Sequence, residues 1–132
     1  MRWAYRFPLL LVNIMKNMSP ESFRQLALSF PGTEENPHFD RRAFKITGKR
    51  IFATLHEKSI SINLKLPQVD QKEYCALDEN AIYPVPNKWG KQGWTFVKLD
   101  KIKKDMLIDI LTTAYCEVAA KKLSRKFQKL TM

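Results

Sequence analysis

Residues 59–66 read Ser-Ile-Ser-Ile-Asn-Leu-Lys-Leu, the cleanest alternation in the chain and the feature that most narrows its fold. A period of two puts Ile60, Ile62, Leu64 and Leu66 on one side of an extended segment and Ser61, Asn63 and Lys65 on the other. The segment is expected to be a strand with one dry face and one wet face, and such a strand needs neighbours. Residues 43–47 (Ala-Phe-Lys-Ile-Thr) and 50–56 (Arg-Ile-Phe-Ala-Thr-Leu-His) also alternate. Gly48-Lys49 between them suits a hairpin turn, and Glu57-Lys58 turns the chain into the third run. Together the three runs predict an antiparallel meander.

Helical signals flank it. Ser19 is placed to cap, Pro20 suits the first helical position, Glu21 suits the positive helix end, and Phe23, Leu26, Ala27 and Phe30 recur at helical spacing. Pro31-Gly32 stops this helix, and residues 33–42, rich in turn formers and charge, read as a loop. Beyond the meander, Pro67 ends the strand. Asp70-x-x-Glu73 forms a capping pattern, Val69 and Tyr74 are placed as a staple, and a short helix is expected over 71–77. Residues 94–99 have strand composition and are expected to join the sheet. A charged turn at 100–104 leads to the final helix, whose buried stripe is Leu107, Ile110, Leu111, Ala114, Val118 and Ala119. Asp105 and Asp109 early and Lys121, Lys122 and Arg125 late complement its dipole, and a basic tail at 126–132 is expected to fray. The expected class is α+β, with the three-strand meander plus a later strand and the N- and C-terminal helices packed on one face. A chain of 132 residues, 45% hydrophobic, can bury one core without staples and is too short for two ordinary domains.

The first 17 residues differ from the rest. Arg2 and Arg6 precede the apolar run at 7–12, which Pro8 interrupts; it is too short to span a bilayer, and no small-residue cleavage site follows. Met18 is the expected effective start of a single domain over 18–125, with 1–17 an extension upstream of it. The sequon at Asn17 is discounted with the export signal. Cys75 and Cys116 lie far apart in segments that read as helical, so neither a paired metal motif nor a disulfide framework is present. A reducing cytoplasm fits this usage best.

The most unusual local composition is at 84–94, Pro-Val-Pro-Asn-Lys-Trp-Gly-Lys-Gln-Gly-Trp, which holds two of the four glycines and two of the three tryptophans. Here cations alternate with aromatic rings, as a surface that holds phosphates and stacks or wedges bases requires. A formal charge of +10 also favours an anionic partner, nucleic acid or an acidic protein rather than a membrane, because the charge is spread along the chain. Lys45, Lys49, Arg50, Lys58 and Lys65 fall on or beside the wet face and turns of the meander, and Lys88, Lys91 and Lys98 join them from the central stretch. These are the candidate phosphate contacts. Asn63 and Arg50 are candidates for base edges and Trp89 for stacking or wedging. Each has a plainer role open to it: lysines on sheet edges block aggregation, and a tryptophan in a glycine-rich corner plugs a core, Trp94 more so than Trp89. Helix-dipole complementarity accounts for Lys121, Lys122 and Arg125 without a ligand, and Lys126 and Lys129 extend the same basic cluster.

Catalytic signatures are lacking. Glu35-x-x-His38 has a metal-site spacing, but Pro37 prevents the helix that would align the two side chains. His56 closes a strand. Gly90-x-x-Gly93 lacks the context of a phosphate loop, no serine sits in a nucleophile elbow, and no carboxylate pair is placed for acid–base work. No enzyme activity, cofactor or metal is expected.

Four segments carry a family likeness: 43–49 (Ala-Phe-Lys-Ile-Thr-Gly-Lys), 52–55 (Phe-Ala-Thr-Leu), 62–65 (Ile-Asn-Leu-Lys) and 89–95 (Trp-Gly-Lys-Gln-Gly-Trp-Thr). In order and spacing they resemble the small bacterial proteins of the MmcQ/YjbR family, from about Met18 to about Leu123. The resemblance implies a frataxin-like (CyaY-like) α+β domain and a DNA-binding role through the sheet and its hairpins, with no enzyme activity, cofactor or defined target sequence. The alternative is a protein-interaction or small-ligand module in which the charge selects an acidic partner. A monomer is the favoured state.

Overall fold

The computed structural model describes residues 18–121. The expected extension at 1–17, the residues Lys122, Arg125, Lys126 and Lys129, and the tail at 126–132 lie outside the described residues. In chain order the elements are α1 (Pro20–Leu28), β1 (Thr33–His38), β2 (Arg41–Ile46), β3 (Ile51–His56) and β4 (Ser61–Lys65). They continue with α2 (Gln68–Leu77), β5 (Ile82–Pro84), the single turn α3 (Lys88–Lys91), β6 (Trp94–Lys98) and α4 (Lys104–Ala119). The strands make one six-stranded sheet in the order β1-β2-β3-β4-β6-β5, antiparallel at every pairing. The chain is an α+β protein.

Register assigns the two faces. Phe44 lies opposite Ala53, Ala53 opposite Leu64, Leu55 opposite Ile62, and Ile62 opposite Val97, which pairs onward with Ile82. These side chains are buried and meet the apolar stripes of the longer helices: Phe23, Leu26 and Ala27 from α1 and Leu107, Ile110, Leu111 and Ala114 from α4. Phe23 meets Phe44 edge to face at 5.5 Å, and Phe30 meets Phe52 at 6.4 Å. A bulge where Lys45 pairs with Ile51 lets Phe52 and Ala53 both be buried opposite Phe44. Tyr74 of α2 donates to Asp109 Oδ2 (2.7 Å) and shares a hydrogen bond with Thr113, joining α2 to α4.

Three expectations need correction, and one strand is additional to those expected. Residues 33–42 are not a loop; they form β1 and the start of β2. The strand Thr-Glu-Glu-Asn-Pro-His carries no apolar alternation because it is an edge strand, where Pro37 is tolerated, and because Glu35 turns inward onto Arg24 (2.7 Å) and Arg42 (2.6 Å). Ile60 does not belong to the alternating strand: it ends the turn after β3 at φ +51°, leaving β4 to begin at Ser61. The capping pattern at Asp70 does not start α2. That helix begins at Gln68 behind Pro67, with no side-chain cap, and Val69 is 70% exposed, so no staple forms. Finally, residues 82–84 add a short strand outside β6.

Candidate nucleic-acid interface

The face of the sheet turned away from the helices is built from the polar half of each alternation. One row across it reads Asn36, Ala43, Thr54, Asn63, Phe96 and Tyr83, each opposite the next. The adjoining row reads Glu34, Lys45 and Ile51 on one flank and Lys65 and Trp94 on the other. Tyr83 and Phe96 stack at 5.0 Å, with the Lys98 ammonium 5.7 Å from the Tyr83 ring centre.

The tryptophan loop leans over this face and is held by backbone geometry that only glycine permits. A Cβ on Gly90 would overlap the Val85 carbonyl oxygen, and one on Gly93, at φ +104°, would overlap that of Leu66. Asn87 Oδ1 accepts from the Trp89 N–H at 2.9 Å, capping α3. Two glutamines of α2 fasten the loop from below. Gln71 Nε2 donates to the carbonyls of Gly90 (3.0 Å) and Trp94 (3.1 Å), and Gln68 Nε2 donates to that of Lys91 (2.6 Å). Trp89 remains 50% exposed. Trp94 is half-buried on the open face beside Lys65 and outside the hydrophobic core, so it does not plug the core as its setting suggested.

Two depressions adjoin at these tryptophans. The larger, about 740 Å³, brings together Lys45, Lys49, Arg50, Lys65 and Trp89, with Lys121 and Glu117 from the end of α4. Several of its cations have second duties. Lys49 Nζ donates to the carbonyls of Ala119 (2.6 Å) and Lys121, closing the C-terminus of α4. Lys65 Nζ donates to the Gln92 carbonyl, Lys45 stands 3.6 Å from Glu34, and Lys121 stands 3.8 Å from Glu117. Thr47 and Asn36 donate to Glu34 and hold its carboxyl below the usual range, so it stays an anion beside Lys45. Arg50, Lys88 and Lys91 are exposed. Lys58 sits apart, beside the turn between β1 and β2.

The second depression, about 520 Å³, contains Asn63 and is lined by Trp89, Trp94, Val85, Thr54 and the hairpin residues His38, Phe39, Asp40 and Arg41. Its polar atoms are incompletely matched. Arg41 Nη1, Thr54 Oγ1 and Asn63 Oδ1 are buried and have no hydrogen-bond partner among the described residues. On the rim Phe39 is 95% exposed at φ +59°, a backbone region costly for an aromatic residue. Phe39, Arg41, Thr54 and His38 are not legible as site residues in the sequence, because three of them lie in a stretch whose composition reads as a loop and Thr54 is one unremarkable residue of an alternating run.

Glu35 and His38, three residues apart on a strand, point to opposite faces, and Glu35 belongs to the arginine network. His56 bonds Ser59 through Nδ1 and lies 3.2 Å from Asp40 through Nε2. Among the described residues no three His, Cys, Asp or Glu side chains converge on a metal-sized space, and no helix is long and apolar enough to cross a membrane.

No curated protein is significantly similar to the chain. Solved structures share its fold, two of them as follows. The Deinococcus radiodurans protein DR2400, described as a DUF419 domain, superposes with a TM-score of 0.69 at 19% identity, over 85% of this chain and 86% of that one. A Pseudomonas syringae protein superposes with a TM-score of 0.57 at 15% identity, over 74% of this chain and 97% of that one. The family model YjbR matches residues 28–117, a stretch that runs from the end of α1 into α4 and takes in the whole sheet and the tryptophan loop, and the chain belongs to the YjbR family.

Proposed function

We propose that the protein binds DNA through the open face of its sheet, holding the phosphate backbone without catalysis. The observation that carries this is the larger depression, in which Lys45, Lys49, Arg50 and Lys65 surround the half-exposed Trp89 on one face of the sheet. Lysine and arginine supply sequence-independent phosphate contacts, and an exposed indole supplies a stacking surface. An ammonium has three donors, so Lys49 and Lys65 keep both charge and spare protons after bonding the carbonyls beneath them. Lys88, Lys91 and Lys98 extend the positive field along the loop and β6, and Asn63 stands beside it as a candidate base contact. The part-buried Cys75 thiol is pushed up by burial, away from the thiolate a nucleophile requires.

Titration of a fluorescently labelled duplex at two salt concentrations tests the proposal. Neutralising about four phosphates should weaken binding roughly 10²-fold between 50 and 200 mM salt. Absence of binding at low salt, or binding indifferent to salt, would overturn it.

A further inference from the structure

We infer that the depression between the β1–β2 hairpin and the tryptophan loop is a receptor for one unpaired nucleobase of the bound strand. This rests on the DNA reading and adds a site to it. Three observations converge. The first is unmet hydrogen bonding: Thr54 is 6% exposed and its hydroxyl lacks a partner, as do Arg41 Nη1 and Asn63 Oδ1. They offer a donor, an acceptor and a hydroxyl that serves as either, and the edge of a nucleobase presents donors and acceptors side by side. A buried polar group left unpaired is costly, so a ligand that pairs it gains what the free protein forgoes.

The second is shape. A depression of about 520 Å³ lies within the usual range of small-ligand sites, and its apolar walls are the indoles of Trp89 and Trp94 and the side chain of Val85. Indole rings and unpaired polar atoms lining one depression suit a planar heterocycle that stacks on its faces and hydrogen-bonds at its edge. The third is the rim. Phe39 lines the depression and holds its ring in solvent at a positive φ, a strained backbone position that burial does not repay. Phe39 on one side and Trp89 on the other place exposed rings where the neighbouring bases of an unstacked strand would pass. Because Trp89 borders both depressions, the base and the phosphates next to it would be held together.

The test compares three DNAs of equal length at one salt concentration: a fully paired duplex, the same duplex with one unpaired base, and that duplex with an abasic residue in place of the base. Affinity is read by anisotropy and site occupancy by tryptophan fluorescence. The unpaired base should bind about 10-fold tighter than the other two and quench the tryptophans. Thr54→Val, which removes the hydroxyl at constant shape, and Val85→Phe, which fills the depression, should each bring that preference towards unity while leaving affinity for the paired duplex within about 2-fold. The second variant keeps the test decisive if the first fails to fold. Equal binding of the three DNAs would overturn the base receptor and leave the DNA reading standing; binding of none would overturn both. Quenching by free deoxynucleoside monophosphates, without preference among the DNAs, would assign the depression to a free nucleotide and overturn the strand-bound base.

Discussion

At the scale of single residues, the open face is assembled from side chains whose conformation or charge is maintained at some cost. Phe39 occupies the first position of a two-residue hairpin turn at φ +59°, where glycine or asparagine is at home. Replacing it by asparagine should relieve the backbone with little loss of burial, raising stability by about 0.5 kcal/mol in urea denaturation. The same change should weaken binding of the DNA with an unpaired base. A gain in both would show that the ring has no role at the rim. Glu35 is the converse, a charge kept for structure. The Arg24 guanidinium holds its carboxyl below the usual range, aided by Arg42, while the Arg24 guanidinium is raised in turn. A depressed carboxylate contributes stability above its unfolded value of about 4.3, and that contribution disappears as pH falls through the folded value. Glu35→Gln should therefore cost about 1–2 kcal/mol at pH 7, and its stability should converge on that of the parent in increasingly acid solution. A constant difference across that range would contradict the assignment.

At the scale of elements, the positions that were legible in the sequence are those where local pattern and tertiary context agree. β3, β4, β6, α1 and α4 follow from alternation, capping and helical spacing, because each buries the face its own pattern defines. The first strand did not, since an edge strand packed through an ion-paired glutamate has no apolar period to read. The short strand at Ile82–Pro84 is similar, being specified by β6 rather than by its own three residues. Of the candidate site, the cations and Trp89 were visible as composition. The partners Arg41 and Thr54 were not, because strand register alone brings them together. The packing of the β2–β3 turn against the end of α4 gives Lys49 a role that composition conceals, as the cap of that helix. Lys49→Met should cost about 1 kcal/mol and speed amide exchange in the last turn of that helix, while lowering the salt slope of DNA binding by no more than about one. Unchanged exchange would mean that the helix end is held by other groups.

At the scale of the whole molecule, a formal charge of +10 over the full chain of 132 residues is a source of self-repulsion as well as of attraction. Because Lys45, Lys49, Arg50 and Lys65 are gathered in one depression, repulsion is concentrated there and should be relieved by screening. Raising sodium chloride from 20 to 200 mM should increase the melting temperature by ~4 °C. A melting temperature indifferent to salt would show that the cations are already balanced by nearby acids such as Glu34 and Glu117. Salt should thus stabilise the free protein and weaken its complex.

The strand order carries a consequence in time. β6 lies between β4 and β5, so β5 leaves the ribosome first and has no neighbour in the sheet until the later strand docks. The meander from β1 to β4 is sequence-local and can form early, whereas closure by β6 joins it to β4 across α2, β5 and α3. Trp89 and Trp94 come to rest only at that closing step. A chain stalled before it would present the edge of β4 bare, at the stage when an unpaired edge is most prone to self-association.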